Sequence, residues 1–325
     1  MLKQVQHDEV REIGAVNRNE LVAHARISIS RGSKSFRAAS RLFDPQTRER
    51  AWLLYAWCRA CDDIADGQDH GGAMSTTDDP QARLAEIETL TDHALRGIGQ
   101  LPPAFQGLKV VADECRIPRR YMDDLIAGFA RDAGGWRPQS EADLMDYCYH
   151  VAGSVGCMMA IVMGVDPDDT ATLDRACDLG LAFQLANIAR DIAEDAAAGR
   201  CYLPADWLAE AGIAFDAIMA PENRAALAGL ARRLANLAAA YEKSARHGTP
   251  ALPHRSAWAV LSAAAIYGAI ARKVAANPAR ALEARVFTSR VEKAGFALNA
   301  WRQARRRKWI YRAGAREANL WTRPA

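Results

Sequence analysis

The amino-acid sequence predicts an all-α protein, and three observations support this fold class. Apolar residues recur at intervals of three and four along nearly the whole chain, which is the period of one helix face. Runs that alternate apolar and polar residues, as half-buried strands do, are hard to find. Proline, glycine and capping residues divide the chain into segments of helical length. Because there is no fixed-period repeat, low-complexity tract or convincing linker, residues 1–325 are expected to form one helical domain.

The composition is that of an ordinary globular protein that can bury a large core. Of the 325 residues, 50% are hydrophobic and 25% are charged, and 42 basic against 39 acidic side chains give a net charge of +3. This balance argues against a dedicated nucleic-acid-binding protein, which would carry a strongly basic stripe. No stretch approaches the ~20 uninterrupted apolar residues of a membrane span. The polar start lacks a signal-peptide core and the 7 cysteines are scattered like reduced thiols, so a cytoplasmic protein is expected.

The first helix with a clear start signal follows Asp44 and Pro45, an N-cap and a proline at the first helical position. One broad apolar face runs along this predicted helix, which ends in the acidic segment 62–66. The stretch 67–80 is rich in Gly, Asp, Ser and Thr. It is expected to be a mobile loop that closes over whatever that helix end faces.

Later elements follow from the same kinds of signal. Ser140 and Asp143 resemble a capping box, and the apolar run 147–164 after it contains many small residues. These small residues are expected to allow close helix packing. The remaining predicted helices span about 170–198, 221–246, 255–275 and 278–312, each punctuated by Pro or Gly.

The end of the helix that starts at Asp44 carries the first acidic cluster. Asp62 and Asp66 stand four residues apart, so both carboxylates project from one face, where like charges repel by ~0.2–0.5 kcal/mol. Asp63 lies about 100° around the helix and can support the site only from its flank. A function is therefore expected for the unfavourable pair. Arg59 stands one turn earlier.

A second polar cluster interrupts the apolar helix predicted at 170–198. Asn187, Asp191 and Asp195 form a column of oxygen ligands at four-residue spacing, and Gln184 lies one turn before it on the same side. Apolar residues fill the rest of that helix, and Arg190 stands beside Asp191. A single such column is often a solvated helix end. Two columns in otherwise apolar helices, each with an adjacent arginine, favour one shared site.

This combination of side chains predicts a metal and diphosphate site. Carboxylate and amide oxygens bind hard divalent cations, and Mg²⁺ keeps several waters and completes its shell with substrate phosphates. Two facing acidic segments in an apolar bundle would hold Mg²⁺ or Mn²⁺, which stabilises diphosphate as a leaving group. Arg59 and Arg190 can add guanidinium contacts to the same oxygens. The spacing does not indicate the prenyl length, the number of substrates or the product.

Five ordered motifs resemble the squalene/phytoene synthase family, most closely its bacterial phytoene-forming members, and extend over nearly the whole chain. The closing residues 320–324 are similar to those members as well. The motifs are Ser33-Lys34-Ser35-Phe36, residues 55–66 (YAWCRACDDIAD), residues 147–153 (YCYHVAG), residues 179–195 (LGLAFQLANIARDIAED) and residues 199–204 (GRCYLP).

The resemblance implies a class I isoprenoid synthase-type helical bundle with a central apolar cavity. It also implies that two molecules of geranylgeranyl diphosphate are condensed head to head. One loses diphosphate, the double bond of the other attacks the allylic cation, and the cyclopropyl compound prephytoene diphosphate forms. A second ionisation, rearrangement and proton loss give phytoene, the first committed step of carotenoid biosynthesis. No NADPH is expected for this reaction.

Carried over position by position, the resemblance assigns roles to individual residues. Asp62 and Asp66 match the first metal-binding motif, while Asn187, Asp191 and Asp195 lie in the second. Tyr147 matches a tyrosine near the reacting carbons, and Tyr267 matches another pocket tyrosine through a looser alignment. Asp63 stands where the family usually has glutamate, so a carboxylate is kept. The substrate- or diphosphate-contacting positions are matched by Ser33, Lys34, Ser35, Tyr55, Arg59, Gln184 and Arg190.

Two other functions stay open at this point. A relative that makes squalene or diapophytoene would use farnesyl diphosphate, and squalene formation would also need NADPH. The absence of a Gly-rich dinucleotide motif decides little, because the reductive members of the family lack it too. A catalytically silent relative could serve as a scaffold, although the intact aspartates in both clusters argue against that role.

The basic, aromatic segment from Trp301 to Arg316 predicts either a solvated helix face or a peripheral contact with an anionic membrane surface. The membrane contact is considered because both the substrate and the product carry long apolar chains. The expected partners are therefore geranylgeranyl diphosphate, the inner face of the membrane and downstream carotenoid enzymes that receive the product.

Overall fold

In the computed structural model of this chain, the described residues are 17–32, 34–67, 79–312 and 314–324, with residues 34 and 35 described by their backbone alone. The regular elements of these ranges are helices, which confirms the all-α prediction. A π-helical turn, Tyr149–Gly153, joins α7 to α8. The α-helices are α1 (Arg18–Gly32), α2 (Lys34–Ser40), α3 (Pro45–Ala65), α4 (Pro80–Arg96), α5 (Pro103–Cys115), α6 (Arg120–Ala133), α7 (Glu141–Cys148), α8 (Ser154–Val162), α9 (Thr170–Ala197), α10 (Ala205–Glu210), α11 (Arg224–Arg246), α12 (His254–Ala276), α13 (Pro278–Ala281) and α14 (Arg290–Ile310).

The capping residues start the helices where the sequence predicts. Asp44 accepts a hydrogen bond from the Thr47 backbone N–H at 3.0 Å, and this bond caps α3. At α7, the Ser140 hydroxyl accepts from the Asp143 N–H at 3.2 Å, and the Asp143 carboxylate accepts from the Ser140 N–H at 3.0 Å. Both arrangements satisfy backbone donors that a helix N-terminus leaves without a partner.

Helix α9 lies at the centre of the fold. It packs against α8, α11, α12 and the π-helical turn, and its apolar side chains such as Leu181, Leu185 and Ile188 are buried. The polar residues of the predicted column, Gln184, Asn187, Asp191 and Asp195, lie on another side of the helix and are only partly buried. The predicted division of this helix into an apolar majority and a polar column is therefore confirmed.

Small residues bring α9 very close to the segment 152–156. A Cβ atom added to Gly180 would lie 2.3 Å from the carbonyl oxygen of Ala152, and one added to Gly156 would lie 2.5 Å from that of Ala176. These neighbours are backbone atoms, which cannot rotate away as a side chain can. The close packing predicted from the small residues is confirmed, and it holds the polar column of α9 beside the cavity described below.

Replacement of Gly180 by alanine is expected to lower the free energy of unfolding by about 1–3 kcal/mol, because the new methyl group must push two backbone segments apart. Gly229→Ala is the matched control, since this exposed glycine of α11 has nothing within 4 Å of an added Cβ. There the substitution should stabilise by about 0.8–1 kcal/mol through helix propensity. Thermal unfolding of both variants measures the difference, and equal melting temperatures would contradict the close approach.

The prediction of one continuous helix at 278–312 is wrong. The structure divides it into α13 and α14, separated by irregular residues 282–289. The division has a local cause: the Ser289 hydroxyl accepts from the Glu292 N–H at 3.2 Å, and the Glu292 carboxylate accepts from the Ser289 N–H at 2.8 Å. This second capping box starts a new helix. The interruption also brings Arg285 to the site described below.

Buried ion pairs attach the C-terminal segment 314–324 to the core. Asp178 of α9 is fully buried and accepts two hydrogen bonds from the Arg316 Nη2 and Nε atoms, at 2.6 Å and 3.0 Å to the nearer oxygen of each. It also accepts from the Ser244 hydroxyl of α11. Farther along, Arg323 donates to Asp174 at 2.7 Å. The segment therefore belongs to the packed fold and fixes α9 against α11.

Helix α12 is long and apolar enough to cross a membrane by length and composition alone, and it is the one helix of the described ranges that passes this test. Half of its most apolar window is buried inside the fold. Core helices of globular proteins show the same property.

Candidate active site

Carboxylates from three helices gather at one end of the bundle, a cluster we call the acidic mouth. Helix α3 supplies Asp62 and its C-cap Asp66, α6 supplies Asp132, and α9 supplies Asp191 and Asp195. Their proximity shows in their mutual electrostatic effects. After burial, which is the largest cause, the charge of Asp132 helps to raise the pKa of both Asp62 and Asp195. Each of the two sequence-predicted clusters therefore lies within electrostatic range of Asp132, which supports one shared site.

The crowding of like charges makes the acidic mouth receptive to cations. Burial raises the pKa of Asp62, and the neighbouring Asp66 raises it further. Burial likewise raises the pKa of Asp195 to about 6, with Asp191 adding to the shift and Arg200 opposing it. Carboxylates that hold protons this firmly gain free energy when a positive charge binds beside them.

Arginine side chains neutralise part of the acidic mouth. Arg59 forms ion pairs with Asp62 at 2.7 Å and with Asp63 at 2.6 Å. Arg190 donates from Nε to Asp191 at 2.7 Å, with a second bond from Nη2. Arg285, from the break between α13 and α14, approaches Asp191 at 3.3 Å. These guanidinium groups are planar donors that suit phosphate oxygens, so they are placed to contact an anionic ligand at the mouth.

Tyr147 lies at the edge of the acidic mouth instead of on the cavity wall. Its ring is buried and stacks between Trp136 and Tyr202, with centroid distances of 5.3 Å and 5.1 Å. Its hydroxyl donates to the carboxylate of Asp132 at 3.0 Å, and the Tyr202 hydroxyl donates to the same carboxylate at 3.2 Å. Burial raises the pKa of Tyr147 far above its ordinary value, with the Asp132 charge acting in the same direction. The phenol therefore stays protonated and acts as a hydrogen-bond donor.

An apolar cavity opens between α2, α3, α8, α9 and α12. It consists of two adjoining chambers of about 350 and 140 Å³. The first chamber reaches Tyr55 and Tyr267, while the second extends away from them to Met163 and Leu252. Their shared walls are Phe36, Ala39, Gly156, Met159, Phe183 and Ala263.

Aromatic side chains mark the boundary between this cavity and the acidic mouth. Phe183 stacks on Tyr267 with ring centroids 4.1 Å apart, and Phe36 lies 5.4 Å from Tyr55. Burial raises the pKa of both tyrosines, and nearby arginines oppose it: Arg59 for Tyr55 and Arg190 for Tyr267. The two tyrosines therefore lie where the charged region meets the apolar one. A molecule with an ionic head and an apolar tail fits this polarity.

The carboxylates fit Mg²⁺ that arrives with a phosphate ligand better than they fit a metal held by protein alone. Within the ranges that the structure describes, no three His, Cys, Asp or Glu side chains come together as a metal-binding group. Mg²⁺ commonly binds proteins through one or two carboxylates and completes its octahedron with waters and substrate phosphates. The predicted ligand set thus remains a prediction, supported by the electrostatic crowding of these carboxylates.

The structure brings most predicted site residues together. Gln184 and Asn187 are half-buried on α9, between Phe183 and Asp191 along the polar column. Ser33, the side chains of Lys34 and Ser35, and most of the predicted loop, residues 68–78, lie outside the described residues.

Four residues at or beside the acidic mouth were not predicted from the sequence. Arg200 and Tyr202 lie in a recognised motif, which could have indicated them. Asp132 is a lone acid near a helix end, and Arg285 was placed inside an uninterrupted helix. No local pattern distinguishes these two from ordinary surface charges.

Comparison with known proteins gives a consistent result. The sequence pattern of the family described as squalene/phytoene synthase matches residues 29–292. A 15-cis-phytoene synthase of Enterobacter agglomerans is 49% identical over 295 residues, which cover 90% of this chain and 99% of that protein. A 15-cis-phytoene synthase of Pantoea ananas is 45% identical, with 95% of this chain and all of the relative covered.

Solved structures agree with the sequence relatives. A dehydrosqualene synthase in complex with a ligand matches with a TM-score of 0.77 and 27% identity, covering 89% of this chain and 98% of the other. A squalene synthase from Alicyclobacillus acidocaldarius matches with a TM-score of 0.68 and 25% identity, covering 79% and 93%. The fold and site thus define an isoprenoid synthase. The chain belongs to the squalene/phytoene synthase family.

Proposed function

We propose that this chain joins two molecules of geranylgeranyl diphosphate head to head and forms phytoene with release of diphosphate. The observation that carries the proposal is the direct junction of the acidic mouth with the apolar cavity at Tyr55 and Tyr267. Relatives with 44–49% identity over at least 90% of this chain are phytoene synthases. This supports a reaction in which diphosphate leaves at the mouth and prenyl chains lie in the cavity.

The residues at the mouth bind and orient the diphosphate. Arg59 and Arg190 donate to its oxygens, while Asp62, Asp66, Asn187, Asp191 and Asp195 would hold Mg²⁺ or Mn²⁺. The metal, when bound there, neutralises the diphosphate and makes it a better leaving group. The arginines that now pair with these carboxylates can supply hydrogen-bond donors to the incoming anion.

The cavity protects the allylic cation that remains after diphosphate leaves. Its apolar walls exclude water, which would otherwise add to the cation. The faces of Phe36, Tyr55, Phe183 and Tyr267 attract positive charge through their ring quadrupoles. Tyr147, kept protonated by burial, donates to Asp132 and holds that carboxylate at the mouth.

The proposal extends to the setting of the reaction. We propose one cytoplasmic helical domain that contacts the inner face of the membrane peripherally. It would hand its product to downstream carotenoid enzymes. The apolar character of substrate and product is the reason for this setting.

Purified protein supplied with Mg²⁺ and detergent tests the proposed substrate. Geranylgeranyl and farnesyl diphosphate are added separately, with and without NADPH, and the extracted hydrocarbon is identified. Phytoene from the longer substrate, formed without NADPH, is expected. Squalene or diapophytoene from farnesyl diphosphate would move the function to the alternative within the family, and no hydrocarbon under any condition would favour a silent scaffold.

A further inference from the structure

Helix α14 carries apolar side chains on two opposite sides. Its inner side packs against α12 through Ala300 and Ala304, which are buried. On the opposite side Val291, Leu298 and Trp309 are 82%, 53% and 69% exposed. We call the exposed stripe formed by Phe287, Val291, Leu298, Arg302, Arg305 and Trp309 the outer ridge.

The members of the outer ridge lie in one line along the helix. Steps of seven, four, three and four residues lead from Val291 to Trp309, and each returns to nearly the same angle at 100° per residue. Phe287, which is 74% exposed, extends this line just before the helix begins. Single exposed apolar residues are common, but an aligned set with an aromatic group at each end marks an interaction surface.

The charge around the outer ridge has one sign. No acidic residue occurs between Glu292 and Glu317, whereas this stretch contains eight Lys and Arg residues. Arg307 and Arg316 are turned inward and bond to Leu252 and Asp178. The exposed basic side chains are those of Arg302, Arg305, Arg306, Lys308 and Arg312, and none of them forms an ion pair with another described residue.

We propose that the outer ridge docks on an anionic lipid surface. Basic side chains attract such a surface electrostatically, and the apolar ones, Trp309 above all, enter the headgroup region. A second copy of this chain is a poor occupant, because pairing two outer ridges would bring like charges together. The proposed contact differs from the predicted segment: it lies on the exposed side of α14 and reaches back to Phe287. Arg316 bonds instead to the buried Asp178, and the half-buried Trp301 ring lies against Arg305.

The outer ridge begins close to the acidic mouth. Phe287 stands two residues after Arg285, which pairs with Asp191 of the acidic mouth. Lys273 of α12 fixes this connection by donating to the Phe287 carbonyl at 3.0 Å. Docking would therefore hold the mouth beside the bilayer from which an apolar substrate arrives. This last reason rests on the proposed function, whereas the lipid contact itself rests on exposure and charge.

The test is flotation of the purified full chain with phosphatidylcholine vesicles, with and without phosphatidylglycerol. We expect binding only to the anionic vesicles. Replacing Arg302, Arg306 and Lys308 by glutamine should weaken binding by about fivefold for each charge, close to a hundredfold in total. Leu298→Ser combined with Trp309→Ser should weaken it by at least about tenfold. Met219→Ser, at an exposed apolar residue far from α14 in sequence, is the control and should bind like the parent protein.

Point variants are preferable to removal of residues after Ala300, because truncation would delete the buried Ala304 and the Arg316 ion pair. Equal binding to neutral vesicles, or undiminished binding by either ridge variant, would overturn the proposal. So would a dimer that Trp309→Ser dissociates in the absence of any vesicle binding. Phytoene formation in detergent is measured separately and should be unchanged in the ridge variants. Vesicle binding by a protein that makes no phytoene would refute the proposed function and leave the lipid surface intact.

Discussion

Replacement of Asp191 by asparagine is expected to lower kcat/KM by about a hundred- to a thousandfold at fixed Mg²⁺, which corresponds to about 3–4 kcal/mol of lost transition-state stabilisation. Asparagine keeps the size and one oxygen of the side chain but removes the negative charge. Asp191 is the point at which Arg190 and Arg285 meet the acidic mouth, so its charge organises both the cation and the diphosphate donors. Asp62→Asn should act similarly on the opposite helix.

The control for this prediction is Glu194→Gln on the same helix. Glu194 is about half exposed and contacts Arg285 at 3.5 Å, but it lies outside the predicted ligand column. If position in the ligand column matters more than total charge, kcat/KM of the Glu194→Gln variant should stay within about threefold of the parent value. This corresponds to less than about 1 kcal/mol of transition-state stabilisation. Steady-state rates across a Mg²⁺ titration provide the measurement. Near-normal turnover of both Asp62→Asn and Asp191→Asn at saturating Mg²⁺ would contradict the metal assignment.

The second large effect concerns stability. Asp178→Asn is expected to lower the free energy of unfolding by about 3–5 kcal/mol, because it leaves the charge of Arg316 without its buried partner. The same carboxylate accepts from Ser244, whose hydroxyl in turn accepts from Arg175 at 2.6 Å. Loss of one charge therefore disturbs a network that joins α9, α11 and the C-terminal segment. Urea denaturation followed by circular dichroism measures the change.

Asp113→Asn provides the comparison for the buried pair. Asp113 pairs with Lys109 at 2.9 Å, four residues apart on α5, and its side chain is 66% exposed. An exposed pair of this kind contributes about 0.2–0.5 kcal/mol, so its loss should scarcely change the denaturation midpoint. If Asp178→Asn unfolded at the same urea concentration as Asp113→Asn, the buried network would have no role in stability.

The features of this fold that depend on residues close together in the chain could be predicted from the sequence. Helix periodicity and the caps at Asp44 and Ser140 are local, and so is the polar column of α9, which needs only a spacing of four. Both acidic clusters could be found in this way, and the expectation that they share one site follows from their common chemistry.

The remainder depends on contacts between distant parts of the chain. Arg285 reaches Asp191 across 94 positions, and only the course of the chain after α13 brings them together. Asp132 joins the mouth because α6 ends beside α3 and α9, which no pattern around this residue indicates. The π-helical turn and the break before Ser289 are small adjustments of backbone geometry. They depend on a balance of local hydrogen bonds that apolar periodicity does not record.

The acidic mouth and the apolar cavity are proposed to act together in condensing two prenyl diphosphates. The most direct measurement supplies geranylgeranyl diphosphate to the purified protein and counts diphosphate and hydrocarbon in the same sample. We expect two diphosphates to be released for each phytoene formed, with both products abolished by EDTA and restored by added Mg²⁺. Diphosphate released without a forty-carbon product would contradict this proposal, because the mouth would then act on single substrates.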